Sequence, residues 1–336
     1  MRSYAALLGV LAALLMLSWA SMAHVPLISE EKENISLAMH ISDPAKSWAI
    51  YGFIKPHVVH YYSFDVKRGQ RIYLSLIKSA DPQEKDFVPA MILIGPKIET
   101  AGNAPDWIQL PKGLGGLVAA TKNASSATYE PFGPSSFIKM AELDLPAPES
   151  GRYYVAVYSN VAQGHYGLAA GYREEFSFAD RIASPIRLIF VWLWSGQSPG
   201  MILIPYFVAE IISILIFWRS SRRTAYSFAG TMAAFLFLAT SATVIGQTAF
   251  NLTRAPFGPE VYISLTIALF HSILGVIGLR LARSEAGMLQ RTLMGIIGTM
   301  ALLAGSGLIM GPILAIAASM LPSLKSPMPS TPDPRS

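Results

Sequence analysis

Cysteine is absent from the whole chain of 336 residues. No disulfide can staple it and no thiolate can hold a metal, so any exported part must be stabilised by its own packed core. Charge is scarce as well: Asp, Glu, Lys and Arg supply 14% of the residues, against 52% of hydrophobic type. A soluble domain carries about 25% charged residues, so much of this surface faces something other than water, and a lipid bilayer is the partner that fits. The net charge of +5 is modest, and no basic patch interleaved with aromatics accompanies it, which speaks against nucleic acid. The nucleophile elbow, the Walker loop, the zinc-protease helix and the dinucleotide fingerprint are missing too. Enzyme classes with portable motifs are therefore without support, and a non-catalytic role is expected.

What is present begins with Arg2, an apolar run over 5–17 and small residues at Ser21 and Ala23. That order predicts a signal peptide over 1–23, with cleavage after Ala23 leaving His24 as the mature N-terminus. From 24 to 180, short runs rich in Val, Ile, Tyr and Phe are separated by Gly, Pro, Asn and Asp. This punctuation predicts an extracytoplasmic all-β sandwich or jelly roll, with strands near 35–41, 48–54, 58–66, 71–77, 90–94, 117–121, 137–145, 153–159 and 166–172. Val58, His60, Tyr62, Phe64 and Val66 alternate with more polar neighbours and are expected to face the core. A turn at Lys67-Arg68-Gly69-Gln70 then reverses the chain into Ile72, Leu74 and Leu76.

Three stretches carry a family resemblance: Tyr61-Tyr62-Ser63-Phe64-Asp65-Val66-Lys67-Arg68-Gly69-Gln70-Arg71-Ile72, Met91-Ile92-Leu93-Ile94-Gly95-Pro96, and Ser150-Gly151-Arg152-Tyr153-Tyr154-Val155-Ala156-Val157-Tyr158 followed by Gly164-His165-Tyr166-Gly167-Leu168. Together they resemble the bacterial pre-peptidase C-terminal domain over about residues 48–172. The resemblance implies a β-sandwich used as a binding or accessory module, and it does not extend into the membrane half.

Beyond 180 the apolar runs lengthen. Residues 185–197 are too short to cross a bilayer and rich in aromatics, which predicts an interfacial amphipathic helix. Residues 201–218, 225–247, 261–279 and 293–313 are each expected to span, giving an α-helical transmembrane bundle of about four helices. Arg219, Arg222 and Arg223 follow the first span and Arg280, Arg283 and Arg291 surround the third loop, so both loops are expected inside. The chain is then a multi-pass cell-membrane protein with the β domain, the loop near Asn251 and a Pro-rich disordered tail over 322–336 outside. Gly230, Gly275, Gly278, Gly295, Gly298 and Gly307 punctuate the spans in a form suited to tight packing within the chain.

Candidate site residues fall into three groups. Asn34, Asn123 and Asn251 each open an Asn-x-Ser/Thr sequon and are glycosylation candidates. His24, with an amine and an imidazole in one residue, suits copper together with His57 and His60, while His40 and His165 complete the outer histidines. A mature chain that starts with histidine is similar to the periplasmic copper subunit of particulate methane and ammonia monooxygenases. That family pairs the N-terminal histidine with a His-x-His, whereas His57 and His60 are three apart and point to opposite faces of a regular strand. Within the spans, Glu210 and His271 each lie nine residues before an arginine, Arg219 and Arg280. Equal depth and the cost of an isolated ionisable group in hydrocarbon predict an intramembrane polar pair. Three functions are open at this point: an outer domain that binds an envelope protein or glycan, a transport or sensing protein using Glu210 and His271, and an accessory subunit of a copper membrane enzyme.

Overall fold

The computed structural model describes Gly9 and residues 24–108, 110–121, 126–221 and 223–321. The expected signal peptide, Asn123, Arg222 and the tail over 322–336 lie outside the described residues. The chain folds as two compact units, 1–205 with 241–270, and 206–240 with 271–336.

The first unit contains eleven strands: β1 Val25–Ile28, β2 Met39–His40, β3 Trp48–Ile54, β4 Val59–Val66, β5 Arg71–Ser79, β6 Pro89–Gly95, β7 Gly115–Val118, β8 Thr128–Glu130, β9 Ser135–Pro146, β10 Gly151–Ser159 and β11 Gly164–Ala170. They form a six-stranded sheet ordered β1-β3-β11-β5-β9-β8 and a five-stranded sheet ordered β2-β4-β10-β6-β7. His60, Tyr62, Phe64 and Val66 are buried, and the last three join Ile72, Leu74 and Leu76 in the main apolar core, as the alternation predicts. Gly69, with φ +80°, makes the turn between them and donates its N–H to Ala147 O. Tyr61, Ile92, Ile94, Ala156 and Tyr158 on the other face of the five-stranded sheet are buried as well, under Ile108 and its neighbours Leu110 and Leu114. β1 and β8 are absent from the expected strands, and the expected strand over 35–41 is a short 3-10 turn, Ile35–Leu37, followed by the two-residue β2.

Six helices follow: α1 Phe178–Trp194, α2 Pro199–Arg219, α3 Ala225–Asn251, α4 Val261–Arg283, α5 Met288–Leu303 and α6 Met310–Met320. The interfacial helix expected over 185–197 starts a full two turns earlier, because Ser177 and Asp180 close a capping box at its N-terminus and Pro185 is carried inside it. α2, α3 and α4 are long and apolar enough to cross a membrane.

The single helix expected over 293–313 is corrected by the structure. α5 ends in a Schellman motif, with Ser306 N–H donating to Ala301 O at 2.8 Å and Gly305 N–H to Leu302 O at 3.4 Å. Gly305, Gly307 and Leu308 all have positive φ, so the chain cannot continue as a helix. α6 packs back along α5: Gly298 lies against Ala315 and Ile316, and Arg291 Nε donates to Ser319 O at 2.9 Å. The two helices make an antiparallel hairpin. The end of α6 thus returns to the start of α5 at Arg291. Glycines serve as close-packing points within the second unit, where a Cβ on Gly275 would meet Leu238 and one on Gly230 would meet Ala282 and Met294.

Candidate functional site

The outer face of the six-stranded sheet is covered by α1, and the cover is incomplete. Small side chains at Ala49, Ser75 and Ala169 leave a cavity of about 340 Å³ under Ser184, Leu188 and Val191 of the helix. Its walls carry the Tyr51, Tyr73, Phe132 and Phe137 rings, and its polar edge holds Glu130 and Thr128 from β8. A smaller cavity of about 160 Å³ shares Pro26, Tyr51 and Val191 with it.

The helix above the cleft is held by charge. Asp180 accepts from Lys46 Nζ at 2.7 Å, from the Ser177 hydroxyl at 2.7 Å and from Arg187 Nη1 at 3.2 Å. Burial alone would raise its carboxyl, but these donors outweigh it and hold the group at about 2. Glu130 has the opposite setting. Burial raises its carboxyl, the one compensating bond comes from the Phe132 N–H at 3.2 Å, and Glu174 nearby adds to the rise. The Tyr51 hydroxyl in the same cleft is raised by burial and by Glu130.

On the other side of the β8–β9 turn the domain is locked to the ends of α3 and α4. Tyr129 Oη lies 2.7 Å from Ser264 Oγ and donates to Thr248 Oγ1 at 3.1 Å, and Ser264 Oγ donates to Pro131 O. Gln197 and Gln247 exchange two side-chain amide bonds of 2.6 and 2.7 Å. Arg254, expected only as a lone charge in a loop, donates to Ser195 O and lies 3.8 Å from Asp81 with its guanidinium over the Phe250 ring. Within the first unit the β domain is therefore hydrogen-bonded to the ends of these helices.

The sequence-derived candidates are dispersed. Asn251 is the last residue of α3 and fully buried: Nδ2 donates to Pro134 O at 3.0 Å and to Gln247 O at 2.9 Å, and Oδ1 accepts from Ser136 Oγ at 2.9 Å. Its expected exposure as a loop sequon is corrected, since α3 runs one turn further than the apolar pattern and carries Asn251 beneath the β8–β9 turn. Asn34 is exposed and caps the 3-10 turn by accepting from Ser36 N–H.

His24 contacts the Ser47 hydroxyl at the edge of the cleft. His57 is in a turn with φ +60° and packs its ring near Trp107. His60 is buried in the core, 2.8 Å from Tyr166 Oη, which also meets the hydroxyls of Tyr62 at 2.5 Å and Ser29 at 3.2 Å. Burial holds the His60 imidazole below its ordinary value against the pull of Glu31 and Glu33. His40 lies 3.4 Å from Ser63 Oγ, and His165 pairs with Glu84. Among the described residues no group of three or more His, Asp or Glu is placed to hold a metal ion. The structure does not bring His24, His57 and His60 together, because β4 begins after His57 and sends His60 into the hydrogen-bonded core.

In the second unit Glu210 Oε2 accepts from Ser213 Oγ at 3.3 Å on its own helix, and Oε1 is buried without a hydrogen-bond partner among the described residues. His271 is buried. The one hydrogen bond of the Glu210 carboxylate among the described residues is therefore made one turn along α2.

No family model matches the chain, and no curated protein matches it. Solved structures do align with part of it. The periplasmic inhibitor of g-type lysozyme from Salmonella Typhimurium aligns at 16% identity over 40% of this chain and 99% of its own, with a TM-score of 0.23. The pre-peptidase C-terminal domain of a Bacillus anthracis collagenase aligns at 17% identity over 39% of this chain and 91% of its own, with a TM-score of 0.23. CorA, a surface-associated copper-binding protein of Methylomicrobium album BG8, aligns at 9% identity over 45% of this chain and 99% of its own, with a TM-score of 0.21. Each likeness covers under half of this chain and assigns it no activity or ligand.

Proposed function

We propose that the chain is a membrane-anchored binding protein whose β domain takes a component of the cell envelope at the cleft between α1 and the six-stranded sheet. The observation that carries this is the cleft itself: a 340 Å³ cavity walled by aromatic rings with a small number of polar groups, the usual composition of a ligand site. The hydrogen bonds of Tyr129 to Thr248 and Ser264 support it, since they order the β8–β9 turn that borders the cleft. In this scheme the domain and the 252–260 loop lie outside, and the Arg-rich loops after α2 and α4 lie inside. In the same scheme the end of α6, bonded at Ser319 to Arg291, lies on the inner side as well. Ser75→Phe fills the cleft without touching the core face. Mild-detergent purification of parent and variant, with quantitative mass spectrometry, should recover a component held by the parent and lost by Ser75→Phe. Equal recovery by both would refute the assignment.

A second function has one observation in its favour, the unpaired Oε1 of Glu210. A carboxyl buried in a membrane segment without a second bond is suited to carrying a proton, which would make the chain a transport or sensing protein. Proton flux in vesicles that is abolished by Glu210→Gln would establish it, and flux unchanged by that substitution would remove it.

A further inference from the structure

The chemistry of the cleft points to a ligand class. Among the described residues the two basic side chains near it are already held, since Lys139 Nζ lies 2.8 Å from Glu142 and Arg187 is bonded to Asp180, while burial lowers the His24 imidazole, which contacts Ser47. The Tyr73 hydroxyl, which also lines the cleft, donates to Glu142. Lys139 is four residues along β9 from Ser135, the partner of Glu130 across the ladder, which places its backbone roughly 13 Å from that end of the cavity. Glu130 is left as a carboxyl at the edge of an aromatic cavity with no cationic partner among the described residues, and Glu174, the charge that acts on it, is of the same sign. A half-buried carboxylate in such a place is an uncompensated charge, and aromatic faces attract cations. A bound anion would add to the repulsion, and a neutral sugar would leave the carboxylate unmatched.

We propose that the cleft binds an organic ammonium group, carried by a free amine or by the headgroup of a lipid, with Glu130 as its counter-ion and Tyr51, Tyr73, Phe132 and Phe137 as its aromatic wall. This rests on the cleft being the binding site, and the test separates the two. The full chain in detergent is titrated calorimetrically with ethanolamine, choline and, as a neutral isostere, ethylene glycol. In parallel, the chain is placed in nanodiscs of phosphatidylethanolamine or phosphatidylglycerol, and the lipid it retains on re-extraction is identified. Ethanolamine or choline should bind the parent, and Glu130→Gln, which keeps the shape of the side chain, should weaken that binding roughly thirty-fold or more. Retention of phosphatidylethanolamine that is lost in Glu130→Gln assigns the ammonium to a lipid, whereas binding of free amines alone assigns it to a soluble ligand. Equal amine affinity in parent and Glu130→Gln, or ethylene glycol binding as tightly as ethanolamine, would overturn the ammonium class. If a neutral sugar binds, is excluded by Ser75→Phe and ignores Glu130→Gln, the class fails while the cleft survives as a site. If neither amines nor sugars distinguish the parent from Ser75→Phe, both fail.

Discussion

Replacing Asn251 by Ala should unseat the β domain from α3. The side chain makes three hydrogen bonds, to Pro134 O, Gln247 O and Ser136 Oγ, in a position with no solvent exposure. Pro134 O keeps the Trp192 indole as a donor at 3.1 Å, so it is not orphaned. The Ser136 hydroxyl, fully buried, loses its acceptor. With about 0.5–1.5 kcal/mol net for each bond and a further penalty for the stranded hydroxyl, the loss comes to about 3 kcal/mol. Asn251→Asp should be worse, since a carboxylate cannot donate to two carbonyls and would be buried without a cation. Chemical unfolding of the full chain in nanodiscs would give the value. The double variant Ser136→Ala with Asn251→Ala should recover part of the loss, a coupling of about 1 kcal/mol or more. A loss under about 0.5 kcal/mol, the range of ordinary surface changes, or zero coupling would refute the seating. So would a glycan found on Asn251, because both hydrogens of its amide nitrogen are occupied in the fold.

Phe64→Ala should cost about 3–5 kcal/mol in domain stability, whereas Ser63→Ala on the opposite face should cost far less; the reverse order would shift β4 by one residue. Asp180 sits at about 2, below its ordinary value. Its stabilising contribution is therefore full above the ordinary carboxylate pKa of about 3.9 and is lost as pH falls through about 2, an effect of about 2 kcal/mol. Asp180→Asn should flatten the acid limb of the stability curve, and an unchanged limb would contradict the Lys46–Asp180–Arg187 lock. Single cysteines introduced into this cysteine-free chain test the proposed sidedness of the hairpin: an impermeant maleimide in intact cells should label a cysteine at Val161 and spare those at Ser221 and Met320. Labelling at Met320 would contradict it.

The sandwich was legible because period-two alternation and glycine turns are local signals, and the register of β4 against β5 follows from them. β1 escaped notice because Pro26 interrupts a four-residue run, and β8 because it is three residues long. The broken hairpin hid in plain composition: Gly305, Ser306 and Gly307 read as packing residues within an apolar stretch, yet their positive-φ glycines stop α5. Pro185 suggested a helix start, while the true signal was the Ser177 and Asp180 capping box two turns earlier. The cleft had no local signature at all. Glu130 lies in a segment, Tyr129-Glu130-Pro131-Phe132-Gly133-Pro134, that reads as a turn, and its neighbours come from strands and a helix far apart in sequence. Long-range assembly, not residue type, makes the cleft. Arg254 was likewise visible as a charge, while its partners Ser195 and Asp81 were not.

The central claim, that the α1 cleft is where this protein meets its ligand, is tested most directly by photocrosslinking in living cells from a benzophenone side chain placed at Thr128, at the cleft, and in parallel at Lys112, away from it. A discrete adduct captured from Thr128, absent from Lys112 and lost when Ser75→Phe fills the cleft, is the predicted result. The same adduct from both positions, or one from Lys112 alone, would contradict it.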